Sequence, residues 1–535
     1  MKLQTLLAAA LVTFLGSCSA PSSSPSGDRR AVDRIDTVVV IYAENRSFDT
    51  FYGLFPGANG IPGLNPSAVG TISPQRDVDG AVLPVLPPVW GGLTAPGQTQ
   101  VVTQAQTVGL PNRPFQIDGS GQGADRFAVP ISVTTRDLVH RFYSNLMQID
   151  GGRNDRFATY SDAGGLSMGY YDGSHMALWQ IARQYTLADN FFMGAFGGSF
   201  LNHQYLVCAC IPQYPNADAS PARDLISEIQ VDAQGNFVRL VPAANAASST
   251  LDGPPRYRHD GALTPKDGAG MYYAVNTMQP PYEPSGIAPA PGGDARFADP
   301  GQPTTLPPQN LATIGDRLDA KGVSWAWYGG AWQAAGAGTP EARALIYKGK
   351  VQFQPHHQPF NYYVNFDPAT HAAYRAAHLK DFDSDFVADA AAGRLPAVTF
   401  YKPQGNLNQH AGYANVADGD AHIATLIGQL QRSPQWPHML IVVTYDENGG
   451  LWDHAAVPIG DRWGPGTRVP ALIVSPLAKK GFVDKTQYDT ASILRFITRR
   501  WQLEPLPGVA LRDKALVAHG FQPMGDLSAA LEPGP

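Results

Sequence analysis

The sequence predicts an α/β protein with a mostly parallel central sheet, helices on both faces and long loop insertions, and three observations carry that prediction. Ile35 to Ile41 (IDTVVVI) and Met439 to Thr444 (MLIVVT) are nearly unbroken β-branched runs, the pattern of strands buried on both faces in a parallel sheet. Two shorter runs, Ala397 to Tyr401 and Val469 to Val474, repeat the pattern. Helical periodicity lies between or beside them at Leu311 to Lys321, His422 to Leu430 and Thr490 to Leu503, and strands alternating with helices build a sheet covered on both sides.

In chain order, Lys2, the apolar stretch Leu6 to Leu15 and the small residues Gly16, Ser17 and Cys18 read as an export signal. The stretch is too short to span a bilayer as a stable helix. Leu15 to Cys18 resembles a bacterial lipobox, in which Cys18 carries lipid and anchors the protein to a membrane surface; release as a soluble protein is the alternative. The chain is thus expected to be exported, either periplasmic or membrane-anchored as a lipoprotein, or else secreted. Residues 1–18 form the signal and 19–31, rich in Ser and Pro, a flexible linker. The fold is expected to begin at Val32 and to run as one catalytic domain over 32–525. Within it, Pro56 to Pro130 and Pro212 to Pro308 are rich in Gly, Pro and Ala and weak in periodicity. Loops this long cover or shape a site, so they are expected to govern substrate selectivity.

Composition narrows the class. Hydrophobic residues at 44% and charged residues at 16% exclude a disordered chain. A formal charge of -6, with no local run of Lys or Arg, offers no basic field for a nucleic-acid partner. Apart from Cys18 the cysteines are Cys208 and Cys210. One intervening residue argues against an unstrained disulfide, and two thiols are too few for a structural zinc site, so both are expected as small buried core residues.

The chemistry-bearing residues cluster at strand ends. VVVIYAEN closes on Glu44 and Asn45, and LIVVTYDEN on Asp446, Glu447 and Asn448. Ligands of α/β sheets bind beyond the carboxyl ends of strands, and grouped carboxylates repel unless a divalent cation neutralises them. One divalent metal is expected, its identity open; oxygen ligands suit Ca²⁺, Mg²⁺ or Mn²⁺ more than a thiolate-seeking ion. In GAFGGSFLNH, Gly197 and Gly198 precede Ser199 where a helix can start, which places a hydroxyl beside unpaired N–H groups suited to a phosphate; simple helix capping is the plainer reading. His140, His356, His357, His410 and His454 all sit outside apolar periodic patterns, as expected of a cluster that holds an anion or protonates a leaving group.

ENRSFD (Glu44 to Asp49), GSFLNH (Gly198 to His203), HHQPF (His356 to Phe360), YDENGG with the following WDH, and RVPALIVSPLAKKG resemble, in order and spacing, the bacterial phosphoesterase family of acid phosphatases and phospholipases C. The details are most similar to the acid phosphatase branch, over residues 34 to 510. The resemblance implies an alkaline-phosphatase-like fold and one metal held by Glu44, Asn45, Asp446 and Glu447, with Ser199 completing the shell and acting as nucleophile. It implies His357 and His410 as catalytic residues and His140, Asn202 and His356 as substrate-binding ones. Leu201 departs from the pattern, many relatives having Pro there. A small phosphorylated substrate and a phosphoseryl intermediate follow, and the need for a protonated His predicts activity that falls as pH rises. Rival readings are a phospholipase C or other phosphodiesterase at the same site, and a non-catalytic lipoprotein that binds phosphate or metal. Oligomeric state is not encoded in any of these features.

Overall fold

The computed structural model describes residues 31–122 and 126–533. The expected signal, the lipobox-like motif with Cys18, and the expected linker up to Arg30 lie outside the described residues. Ala31 and Val32 are already buried, and the hydrophobic core cluster runs from Ala31 to Leu531.

Eight strands form the central sheet: β1 Thr37–Ala43, β2 Thr186–Ala188, β3 Trp325–Gly329, β4 Leu379–Asp381, β5 Val398–Lys402, β6 Met439–Tyr445, β7 Ala471–Val474 and β8 Phe482–Asp484. Their order is β8-β2-β7-β6-β1-β5-β3-β4. Pairing is parallel from β6 through β1, β5 and β3 to β4, whereas β7 runs antiparallel to both β6 and β2. The mostly parallel α/β fold is therefore present. All seven residues of β1 and of β6 are buried, so both faces of the sheet are covered, which is why their sequences run apolar without alternation.

Three helices match the periodic segments: Ile314–Asp319, capped by a Thr313/Asp316 capping box, Val416–Leu430, capped by Asn415, and Ala491–Trp501. Helix Ser199–Cys208 packs against Ala491–Trp501 and Ile314–Asp319, while Ala177–Gln184 packs against Val416–Leu430. The described parts of the segments 56–130 and 212–308 are mainly turns and isolated bridges, with a hairpin, Ile229–Val231 with Phe237–Leu240, that buries Leu240 in the core.

One expectation is overturned. Cys208 and Cys210 are disulfide-bonded, with Cα atoms 5.0 Å apart. Ala209 adopts a left-handed backbone, φ 47°, as it ends helix Ser199–Cys208. That turn folds the chain back so that side chains two positions apart face each other, a geometry that spacing alone does not reveal.

Candidate active site

Register assembles the site. β1 pairs with β6 through Ala43 and Tyr445, and with β5 through Ile41 and Tyr401. The residues that follow, Glu44 and Asn45, Asp446 and Glu447, and Lys402 at the end of β5, are therefore neighbours at one edge of the sheet. Asn45 takes a left-handed backbone, φ 61°, which asparagine tolerates. Its N–H donates to Asp446 Oδ1 at 3.2 Å, stitching the two strand ends together.

Ser199 enters from the other side. Gly198, not Ser199, occupies the N-cap, and Ser199 is the first helical residue, so its hydroxyl is free for other work. A Cβ on Gly198 would lie 2.5 Å from the His140 carbonyl oxygen; glycine there lets the loop bearing His140 close on the helix start. Ser199 Oγ lies 3.2 Å from Glu44 Oε2, 3.3 Å from Asn45 Oδ1 and 3.4 Å from Glu447 Oε1. One O–H satisfies one acceptor. Three oxygens converging on it, two from buried carboxylates, form the arrangement that surrounds a cation. Asp446 Oδ2 and Asn45 Nδ2 are buried without a hydrogen-bond partner, and such an orphaned carboxylate oxygen calls for an unmet positive charge. The residues present fit a divalent metal.

The histidines line the other wall. His357 Nε2 is 3.1 Å from Glu44 Oε1, His140 Nε2 3.8 Å from Glu447 Oε1, and His410 Nε2 4.0 Å from Glu44 Oε2. His140 Nδ1 contacts the Leu138 carbonyl at 2.6 Å and His410 Nδ1 the Ala411 carbonyl at 2.5 Å. A carbonyl can only accept, so each Nδ1 carries the proton and each Nε2 faces the site. This also disqualifies Asp137, His140 and His410, though close enough to hold an ion, because Asp137 approaches both rings on the Nδ1 side. His356 Nδ1 is 3.0 Å from the Tyr347 hydroxyl. A cavity of about 400 Å³ opens over Ser199, with His140, His356, His410, Tyr347 and Tyr413 among its walls.

Electrostatics follow from burial. Glu44 is fully buried, and desolvation followed by the Asp446 charge raises its pKa well above the carboxylate range, Lys402 opposing. Burial also pushes up Glu447. His140 is pulled down by burial, but Glu447 and Asp137 outweigh this and hold it at about 9. Burial and then Lys402 lower His357 strongly and bring His356 to about 3; burial and then His140 lower His410.

Glu44, Asn45, Ser199, Asp446, Glu447, His140, His356, His357 and His410 thus lie around one centre. Asn202 is placed differently: its Oδ1 accepts from Ala195 N at 2.9 Å and its Nδ2 faces the carbonyls of Ala195 and Gly198, so its amide is committed to the loop before Ser199. His454 belongs to a separate buried brace with Asp49, Asp453 and Arg468: His454 Nδ1 is 2.7 Å from Asp49, and Arg468 contacts Asp49 at 3.0 Å and Asp453 at 2.9 Å. The second half of ENRSFD, WDH and the Arg of RVP therefore hold loops in place.

Two site residues escaped sequence reasoning. Lys402 is buried against Glu44 Oε1, and the signal for it was available: it ends a buried-strand run as Glu44 and Asp446 follow theirs. His203 donates from Nδ1 to Ser199 O at 2.7 Å and stacks on His357 with centroids 4.8 Å apart; it lies one turn after Ser199, the spacing of one helix face.

The profile of the "Phosphoesterase family" matches residues 35–504. Phospholipase C A of Mycobacterium tuberculosis is 27% identical over 240 residues, covering 40% of this chain and 43% of that protein. Non-specific phospholipase C6 of Arabidopsis thaliana is 31% identical over 156 residues, 24% of this chain and 30% of that one. The matched stretches thus span less than half the length of these relatives. Among solved structures, a protein of the alkaline phosphatase superfamily from Vibrio parahaemolyticus superposes with a TM-score of 0.29 at 10% identity, covering 68% of this chain and 65% of that one.

Proposed function

This chain belongs to the phosphoesterase family, and from that premise we propose that it hydrolyses phosphomonoesters by attack of Ser199 on phosphorus. The observation that carries the reading is the convergence of Glu44 Oε2, Asn45 Oδ1 and Glu447 Oε1 on Ser199 Oγ at 3.2–3.4 Å, at the floor of a cavity walled by histidines. Glu44, Asn45, Asp446 and Glu447 would hold one divalent metal. When bound, it lowers the pKa of the serine hydroxyl and offsets charge on the phosphoryl group. Ser199 Oγ gives up its proton to solvent and forms the new bond to phosphorus, the ester P–O bond breaks, and the leaving oxygen takes a proton from a histidine that solvent then reprotonates. Water then attacks the phosphoserine, releasing phosphate and restoring the hydroxyl.

His140, whose Nδ1 is tied to the Leu138 carbonyl and whose Nε2 faces the site beside Glu447, suits the equatorial phosphoryl oxygens, and His357 and His410 face the same space. Asn202 acts as a positioning residue for the Gly197–Gly198 turn. The acid phosphatase reading rests on the motif resemblance. Export, with lipid on Cys18, is supported by Lys2, the Leu6 to Leu15 stretch and the Leu15 to Cys18 motif, and further by the Cys208–Cys210 disulfide, which persists in oxidising compartments. No helix among the described residues is long and apolar enough to cross a membrane. One catalytic unit over residues 32–525 is in keeping with the shared core.

A phospholipase C activity is the second reading, favoured by two observations: relatives bear that name, and an apolar groove of about 960 Å³ that includes Phe142, Leu146, Phe237 and Ile459 begins one residue from Arg141, a wall of the cavity over Ser199. Assay of the wild type and Ser199→Ala on a phosphomonoester and on phosphatidylcholine separates them. The proposal expects release from the monoester, with kcat falling at least about 10³-fold in the variant. Turnover of the phospholipid alone selects the second reading, and a variant as active as the wild type overturns both.

A further inference from the structure

Tyr347 stands at the wall of the cavity over Ser199, and none of the steps above uses it. Its backbone is left-handed, φ 55°, a conformation of order 1 kcal/mol or more uphill for a bulky residue, which persists only where the surroundings enforce it. The Tyr347 hydroxyl is 2.9 Å from Gln279 Nε2 and 3.0 Å from His356 Nδ1. Its ring lies nearly parallel to the imidazole, with centroids 6.0 Å apart and planes at 19°.

Gln279 is itself held. Its Oε1 accepts the Gly286 N–H at 3.0 Å, which turns the Nε2 hydrogens toward the phenol. A Cβ on Gly286 would lie 2.5 Å from Gln279 Oε1 and 3.0 Å from Tyr347 Cε2, so glycine permits the approach. The phenol oxygen also lies 3.3 Å from Gln279 Oε1, a longer contact to an oxygen already engaged by Gly286. The shorter geometry has the phenol accepting from Gln279 and donating to His356 Nδ1. A neutral imidazole whose Nδ1 accepts carries its hydrogen on Nε2.

We propose that Tyr347, held by Gln279, is a positioning residue that fixes the tautomer of His356, so that its Nε2–H is the group offered to the phosphoryl or leaving-group oxygen bound over Ser199. The proposal rests on the phosphoester hydrolase reading. Through it the insertion spanning residues 212–308, which contributes Gln279 and Gly286, reaches the histidine pair and gains a direct means of tuning turnover.

The test uses the full chain with ¹⁵N-labelled histidine, reading tautomers from long-range ¹H–¹⁵N correlations, with His356→Gln to identify the His356 signals. In the wild type His356 is expected as the Nε2–H tautomer. Tyr347→Phe keeps the ring and removes the hydroxyl: it should melt as the wild type does, show mixed His356 tautomers, and lose about tenfold or more in kcat with a smaller change in KM. Gln279→Leu should shift the same signals in the same direction and carries the test if Tyr347→Phe does not fold. A wild-type His356 protonated on Nδ1 overturns the proposal, as does a folded Tyr347→Phe with unchanged kcat and unchanged signals. The tautomer is read without turnover, so a wild type inactive on every phosphoester contradicts the hydrolase reading while the spectra still decide whether Tyr347 sets the His356 tautomer.

Discussion

Ser199 has one hydrogen to donate and three oxygens within 3.4 Å to receive it. Glu44, Asp446 and Glu447 are wholly buried; Lys402 lies against Glu44, and His140 Nε2 stands 3.8 Å from Glu447 Oε1. Buried charge left uncompensated destabilises a fold by several kcal/mol per ion, so a cation bound here stabilises the folded state in proportion to its occupancy. Metal removal with a chelator should therefore lower the wild-type melting temperature, by the equivalent of about 4 kcal/mol if the site was held at roughly a thousand times its Kd. Glu447→Gln should lose the metal in elemental analysis and melt alike with and without chelator. A wild type indifferent to chelation contradicts this.

At the scale of elements, β1, β5 and β6 do the positioning, and their legibility was uneven. β1 and β6 were readable because both faces are buried, which leaves a β-branched run with no alternation. β3, with the sequence WAWYG, and the three-residue strands β2, β4 and β8 were not readable, since aromatic content and brevity leave no period to detect. The antiparallel course of β7 is set by pairing partners far away in sequence, which its own residues do not record. Behind β5, the Tyr401 hydroxyl lies 2.6 Å from His422 Nε2 on helix Val416–Leu430, and burial lowers the His422 pKa to about 4. The unfolded chain takes up this proton near the ordinary value of about 6.5 while the folded one does not. Stability from His422 is thus complete above about pH 6.5 and is lost as pH falls toward 4. Denaturant midpoints measured across that window should drop in the wild type and drop less steeply in His422→Gln; equal slopes would contradict the linkage.

For the whole molecule, the strand-end acids and Ser199 could be read from the sequence because they follow buried runs or glycines that leave a local mark. The roles of Asn202 and His454 could not, because Ala195 and Asp49, the groups that engage them, are known only from the folded chain. The Cys208–Cys210 pairing depends on a single left-handed residue, Ala209, where a β-carbon gives no advance signal. The claim on which the account turns is that Ser199 forms a covalent bond to phosphorus, and mass spectrometry of peptides from protein quenched during turnover of a phosphomonoester, in parallel in acid, which preserves phosphoserine, and in mildly alkaline denaturant, which preserves phosphohistidine, tests it most directly. The account predicts a phosphoryl group on the peptide containing Ser199, located on that residue and absent from Ser199→Ala. A phosphoryl group trapped instead on a histidine such as His140 or His357, with Ser199 unmodified, would contradict it.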